Sequence, residues 1–312
     1  MTVTLHKGKR KTGKASSATA GFAIFIFTLI LSMKYGDVLK AGILQGIKLS
    51  VTTIVPAVFP FLIITDILLA TGAGNISLFA KAFSKILRIS PKAAFPFLCG
   101  NLCGFPLGAK LLGDEYSRGN ISKEDLECAV GISNNPSIAF TVSAVGMGMR
   151  GNLIEGLLLF ASVLLATVSI GVVFRPRRMK NQIFEHNTEQ KINISASIKN
   201  AGFTALGISS YIIFFSFCIS AISIFLESEI LIAIVASVLE VGSAASLLTK
   251  APFDPAISFA LTAFALGFSG ISVHLQAFSF LPDEVSRKKY VLLKLCEGLG
   301  AAVLAFLFYK LI

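Results

Sequence analysis

Charged residues are scarce in this 312-residue chain. Only 14% of its residues are Asp, Glu, Lys or Arg, whereas 54% are hydrophobic. An ordinary soluble domain contains about 25% charged residues. No charged residue occurs between Lys199 and Glu227, and Asp254 is the only one between Lys250 and Asp283. About 20 apolar residues are needed to cross a bilayer, so the scarcity excludes an ordinary soluble domain and predicts an all-α polytopic membrane protein.

Histidine is scarce, and closely spaced cysteine pairs are lacking. The three histidines, His6, His186 and His274, are scattered and give no cluster with metal-ligand spacing. None of the five cysteines forms a C-x-x-C pair, so we expect free thiols and no disulfide framework. The sequence predicts no metal and no cofactor.

Motifs typical of common enzymes are missing. The stretch "GFSGI" (267–271) ends in isoleucine, so it lacks the last glycine of G-x-S-x-G. The stretch "GFPLGAK" (104–110) lacks both the spacing and the Lys-Ser/Thr ending of a P-loop. We therefore expect a protein that is not an enzyme.

The net charge of +11 is concentrated in two short segments. Residues 1–19 contain five basic side chains and no acidic one, and residues 175–200 contain six basic side chains against two glutamates. Such segments beside membrane spans face the cytoplasm. Their placement favours contact with membrane lipids and argues against nucleic-acid binding. We expect a basic tail (1–19), a first membrane half (20–174), a basic linker (175–200) and a second membrane half (201–312).

Two apolar stretches are interrupted at similar places in the two halves. "LFAKAFSKIL" (78–87) precedes "GFPLG" (104–108), and "LEVGSAASLL" (239–248) precedes "GFSGI" (267–271). Non-helical backbone at membrane depth is tolerated only where protein or a water-filled cavity covers it. The pattern predicts two related halves, each with a broken or re-entrant helical hairpin, that form a central polar site. The alternatives are chance repetition of Gly-Phe and glycines that serve only close helix packing.

The residues of this region resemble a known family. "GFPLGAKLLGDEYSRGNISKEDLECAVGISNNPSIAFTVSAVG" (104–146), together with "LEVGSAASLL" and "GFSGISVHLQ", resembles the nucleoside-recognition, or Gate-domain, membrane protein family. The resemblance implies a multi-pass protein of the bacterial inner membrane that is linked to spore formation, with a fold related to concentrative nucleoside transporters. It also implies a second copy or other sporulation membrane proteins as partners, and it fixes no substrate.

Polar residues inside the apolar segments are the candidates for solute binding. The asparagines could equally hydrogen-bond between helices, and Lys110 could extend to the interface. Glu240 is the clearest candidate because an intramembrane carboxylate is costly. We expect it to face the protein interior near the Gly104 or Gly267 break, with His274, Lys110 or an asparagine within hydrogen-bonding range. The candidates are Asn101, Gly104, Pro106, Lys110, Asn134, Asn135, Glu240, Ser269, Gly270, His274 and Gln276.

The sequence therefore favours a transporter-like protein of sporulation. It would move a small polar or anionic solute, with nucleoside-like solutes among the candidates, through a site between two broken hairpins. The alternative is a membrane scaffold that transports nothing and supports assembly of the spore envelope or cortex.

Overall fold

A computed structural model describes residues 11–70, 78–175 and 193–311 of the chain, and its regular structure in these ranges is entirely helical. Most of the two basic segments, 1–10 and 176–192, lies outside the described residues. The helices are α1 (Lys11–Leu49), a π-helical turn (Ser50–Ile54), α2 (Val55–Ala70), α3 (Leu78–Leu87), α4 (Pro91–Cys103), α5 (Leu107–Ser117), α6 (Lys123–Ser133), a π-helix (Ala139–Met149), α7 (Leu153–Val173), α8 (Ile194–Ser223), α9 (Glu229–Leu239), α10 (Val241–Lys250), α11 (Pro255–Phe268), α12 (Gly270–Phe278) and α13 (Arg287–Tyr309).

Five of the described stretches are long and apolar enough to cross a membrane. The predicted fold class, an all-α polytopic membrane protein, is confirmed. The bounds of the basic segments and membrane halves stay predictions, and α1 begins at Lys11 and α8 at Ile194. The five stretches are Phe25–Leu68, Leu153–Val173, Ile194–Ser223, Pro255–Phe278 and Arg287–Tyr309.

Two runs of helices follow the same order. The first series (91–173) has α4 and α5 separated by one break, α6 and the π-helix separated by a second break, and then the long α7. The second series (229–309) has α9 and α10, α11 and α12, and the long α13 in the same order. By this order Gly104 corresponds to Glu240, because each of these two residues lies at the first break of its series. Gly267 lies near the second break and is not the counterpart of Gly104.

Local backbone geometry explains where the helices stop. Gly104 ends α4 with φ +93° and ψ 169°, a conformation that is essentially restricted to glycine. In the second series the interruption lies at Ser269 (φ +71°) and Gly270 (φ +74°), two residues beyond the predicted Gly267. Both predicted interruptions are therefore present.

The two breaks of each series lie against each other. In the first series the Phe105 N–H donates to the carbonyl oxygen of Asn135 over 2.7 Å. In the second series a Cβ on Gly270 would lie only 3.0 Å from the carbonyl oxygen of Leu239 and 3.1 Å from the nitrogen of Glu240. In each series, one break thus covers the other. Non-helical backbone within a membrane needs such cover by protein.

The long helices α7 and α13 pack antiparallel. Near the start of α7, Arg150 donates to Ser258 of α11, whose neighbour Phe259 packs against Tyr309 at the end of α13. Further along α7, Thr167 bonds to Glu297 near the middle of α13. Since these helices hold the same place in the two series, the series run in opposite directions, as in inverted-topology repeats.

Helices α1 and α2 line the side of this bundle along α8. Gly42 and Gly46 of α1 approach Ser220 and Ser216 of α8 so closely that neither has room for a side chain. At the other end, the Ser197 hydroxyl donates to Asp66 of α2 over 2.6 Å. The long N-terminal helices therefore pack antiparallel to α8.

We predict that Gly108→Ala lowers the unfolding temperature of the purified protein. An added Cβ would lie 2.1 Å from the carbonyl oxygen of Ser133, so the backbone at the end of α6 would have to move. The matched control is Gly207→Ala in α8, where no atom lies within 4 Å. There alanine should be neutral or stabilise the helix by about 0.5–1 kcal/mol. Equal unfolding temperatures for the two variants in the same detergent would contradict this close packing.

Candidate functional site: a polar cluster between the two series

Five buried polar side chains form one hydrogen-bonded group, which we call the polar cluster. At most 4% of any of these residues is exposed. Asn101 lies on α4, Asn135 in the break after α6, and Thr167 on α7, while Lys294 and Glu297 lie on α13. The cluster therefore unites the first series with the last helix of the second.

An ion pair forms the centre of the polar cluster. Lys294 and Glu297 lie one turn apart on α13, with 2.9 Å between Nζ and Oε2, and neither side chain is exposed to solvent. Removing such charges from water costs several kcal/mol per ion unless other hydrogen bonds satisfy them. The remaining members of the cluster provide those bonds.

Asn135 satisfies the ammonium group and connects it to the first series. Its Oδ1 accepts a hydrogen bond from Lys294 Nζ. Its Nδ2 donates to Asn101 Oδ1 over 2.8 Å and to Thr167 Oγ1 over 2.9 Å. Asn101 is itself held by its Nδ2, which donates to the carbonyl oxygen of Ile132 over 3.1 Å. The break after α6 thus positions the Asn135 amide so that its oxygen contacts the second series and its nitrogen contacts the first.

Thr167 lies between the carboxylate and its own helix. Its Oγ1 is within hydrogen-bonding range of Glu297 Oε1 and lies 2.8 Å from the carbonyl oxygen of Val163. It also accepts the bond from Asn135. The hydroxyl therefore has two acceptors within reach for its single proton.

A second contact chain links the breaks of the two series through α13. Asn134 Nδ2 donates to Tyr290 Oη over 2.9 Å, and the Tyr290 ring packs edge-on against His274 with 5.3 Å between centroids. His274 Nε2 lies 2.8 Å from the carbonyl oxygen of Phe268, at the second break of the second series. In the described residues, the breaks near Gly104 and Gly267 are therefore linked through Asn134, Tyr290 and His274 rather than by direct contact.

Glu240 is buried as predicted, but its surroundings differ from the prediction. It lies at the break between α9 and α10, and its two carboxylate oxygens accept the backbone N–H groups of Gly242 (2.8 Å) and Ser243 (2.6 Å). It is thus the N-cap of α10, where the helix dipole stabilises a negatively charged side chain. Glu240 does lie beside the break at Gly270, as predicted. Of the predicted partners, however, His274 bonds to Phe268 and Lys110 pairs with Asp114.

The other predicted residues have separate positions. Lys110 pairs with Asp114 over 3.2 Å on a partly exposed side of α5. Gln276 Nε2 donates to Ser272 over 3.3 Å. Pro106 precedes α5, and Gly104, Ser269 and Gly270 form the breaks themselves. Of the predicted set, Asn101 and Asn135 belong to the polar cluster, and Asn134 and His274 reach α13 through Tyr290.

Sequence reasoning missed Lys294 and Glu297, the most buried charges of the described chain. Both are 0% exposed and lie at the eighth and eleventh positions of a 23-residue helix. The available signal was two opposite charges three residues apart in "YVLLKLCEGLG", where they share one helix face within the last apolar span. Thr167 gave no signal, since a threonine in an apolar helix is common.

The polar cluster is closed in this conformation. A crevice beside the first break is lined mainly by apolar residues, with Ser137 as its polar side chain. Within residues 11–70, 78–175 and 193–311, no three His, Cys, Asp or Glu side chains converge as metal ligands would. The crevice is lined by Ile54, Ala57, Val58, Gly104, Phe105, Ser137 and Phe140.

Comparison with known proteins gives one informative relative. The chain is 22% identical to the sporulation integral membrane protein YlbJ of Bacillus subtilis (strain 168), over an alignment that covers 93% of this chain and 82% of that protein. No family model matches the chain. No solved structure matches it either. The chain is therefore similar to a sporulation membrane protein over nearly its whole length.

We predict that Lys294→Met destabilises the protein by about 3–5 kcal/mol, because it leaves the Glu297 carboxylate buried without its ammonium partner. The double variant Lys294→Met/Glu297→Leu should recover most of this loss, since buried ion pairs can often be replaced by apolar residues. Thermal unfolding of wild type, both single variants and the double variant measures the effect. A double variant less stable than either single variant would contradict the pairing.

Proposed function

We propose that this chain is a transporter-like membrane protein of sporulation that moves a small polar or anionic solute, with nucleoside-like solutes among the candidates. One observation carries the proposal. Two helix series of opposite direction, each with two interrupted helices, surround a buried cluster of amide, hydroxyl and charged groups. In membrane transporters, binding sites lie near the bilayer midplane between inverted repeats, at discontinuous helices.

The position of the polar groups supports this proposal. Charged and polar side chains within membrane spans are costly and usually mark a functional site. Lys294 and Glu297 lie about halfway along α13. Asn135 lies in a break whose backbone is already released from regular helical bonding. Together these three side chains could offer hydrogen-bond donors and acceptors to a polar solute at a membrane depth that water does not reach.

The resemblance to the Gate-domain family and the similarity to YlbJ support the same reading from outside the structure. The name of YlbJ refers to sporulation and to the membrane, which is why we place the proposed function in spore formation. Solute movement is supported by the inverted arrangement of the two series.

A scaffold is the second candidate, and a specific observation favours it. The polar cluster is fully buried, and its ammonium, carboxylate and amide groups already have partners within the protein. A cluster with this arrangement could serve only to hold the two series together. A transporter must open it, whereas a scaffold keeps it closed.

The two candidates predict opposite results for Lys294→Met/Glu297→Leu in a host strain deleted for this chain. This variant keeps the packing but removes the charges, so a transporter should lose function while the protein accumulates normally in the membrane. A scaffold should still support spore formation. The readouts are the yield of mature spores and the amount of the protein in membrane fractions, and Thr262→Val on α11 serves as a buried polar control.

Direct uptake complements this test. Proteoliposomes containing the wild-type protein are assayed with radiolabelled uridine as a nucleoside probe and radiolabelled phosphate as an anion probe, against protein-free liposomes. Uptake of either that is lost in the double variant supports the proposal. Full spore formation by the double variant, with no uptake of either probe by wild type, favours the scaffold.

A further inference from the structure

We propose that Glu297 is the site at which this protein binds and releases a proton, with Thr167 as the hydroxyl that adapts to either state. The inference rests on the proposed function, to which it adds proton coupling. It assigns the coupling group to α13 rather than to Glu240 or His274.

The hydrogen bonds around Thr167 accommodate both protonation states of Glu297. A threonine hydroxyl has one proton to donate and two lone pairs that accept. When Glu297 is ionised, the Thr167 hydroxyl donates to the carboxylate, and its oxygen accepts the Asn135 amide. When a proton binds, a new O–H bond forms on Glu297 and donates to Thr167 Oγ1. The Thr167 proton then turns to the carbonyl oxygen of Val163, 2.8 Å away.

No hydrogen bond is lost in this exchange. The Asn135 amide still donates to Thr167 Oγ1, whose second lone pair receives the new bond from Glu297. Lys294 keeps Asn135 Oδ1 and the other carboxyl oxygen of Glu297 as acceptors. The number of bonds is kept, but the bonds from Lys294 and Thr167 lose the strength that the negative charge gave them, because the carboxyl group becomes neutral.

Glu240 is held mainly by backbone groups at the start of α10, with the Ser243 hydroxyl beside it. Its two oxygens accept two backbone N–H groups, which can only donate. Glu240 therefore serves as a helix cap, whereas the Thr167 hydroxyl beside Glu297 can bond to that carboxyl group in both of its protonation states.

Few titratable groups lie near Glu297. On α13 itself they are its partner Lys294, Tyr290 and the adjacent Cys296, and on α12 the nearest is His274, whose ring contacts Tyr290. Helix α11 has no titratable side chain, and the charges of α6 and α7 lie in their first two turns, away from the cluster. Helix α4 contributes Lys92 at its start and the thiols of Cys99 and Cys103.

Protonation would loosen the contact between the two series. In the ionised state the carboxylate fixes both Lys294 on its own helix and Thr167 on α7 through charge-assisted bonds, which are about twice as strong as neutral ones. Neutralising Glu297 weakens both. A proton at this one site therefore biases the packing of α13 against the first series.

Infrared difference spectroscopy of the full chain in proteoliposomes tests the proposal without any solute. Lowering the pH should increase the carboxylic-acid C=O band. The component due to Glu297 should be lost in Glu297→Gln and retained in Glu240→Gln, which changes the other buried carboxylate of the same type. A wild-type spectrum without pH-dependent change, or a component that persists in Glu297→Gln, would overturn the proposal.

A second pair of variants keeps the test decisive if Glu297→Gln fails to fold. Thr167→Val removes a hydroxyl that stabilises the carboxylate, so the midpoint of the band should shift to higher pH. Thr262→Val, which removes a buried hydroxyl bonded only to the carbonyl oxygen of Ser258, should leave the midpoint unchanged. An unchanged midpoint in Thr167→Val would overturn the role of that residue and with it the proposal.

The same spectra separate this inference from the proposed function. If the component is absent while the uptake and spore assays support a transporter, only the proton inference fails. If the component is present while the double variant supports full sporulation, the proton site stands and the proposed transport fails.

Discussion

A buried ammonium group beside a buried carboxylate is the interaction on which the arrangement of the two series depends. Neither Lys294 nor Glu297 reaches solvent, so every hydrogen-bonding position around them must be filled by the protein. The partners come from Asn135 and Thr167, which lie in the opposite series. The polar requirements of one helix therefore determine how the first series must be placed against it.

The interrupted helices follow from the same constraint. A continuous helix uses its backbone groups internally and presents only side chains, whereas a break releases amides and carbonyls at membrane depth. In this chain each break is covered by another break of its own series, as the contacts of Phe105 with Asn135 and of Gly270 with Leu239 show. Small residues make these contacts feasible, since a Cβ on Gly100 would lie 1.9 Å from the carbonyl oxygen of Ser133.

Sequence reasoning succeeded where a single residue type imposes a local rule. Sparse charge predicts a membrane protein, and glycine beside proline in an apolar stretch predicts the break at Gly104. It failed where the role of a residue depends on backbone geometry or on partners far away in the sequence. Glu240 looked like an isolated charge within a helix, but the helix stops there and two backbone N–H groups receive the carboxylate.

The register of the internal repeat shows the same limit. Matching Gly-Phe pairs aligned Gly104 with Gly267, yet the helix order aligns "GFPLGAKLL" (104–112) with "EVGSAASLL" (240–248). Only the shared Ala-x-Leu-Leu ending indicates that register, and it is a weaker sequence signal than a repeated Gly-Phe pair. Lys294 and Glu297 were overlooked because their compensation comes from Asn135 and Thr167, more than 100 residues earlier in the chain.

A double-mutant cycle across the two series tests the central claim most directly. Asn135→Leu and Lys294→Met are made singly and together, and the free energy of unfolding is measured for each in the same detergent. Residues that share one hydrogen-bond network show coupling energies of about 0.5–3 kcal/mol. The account predicts a double variant less destabilised than the sum of the two single variants by an amount within this range. Additive effects would mean that Asn135 and Lys294 act independently, and that the polar cluster does not join the two series.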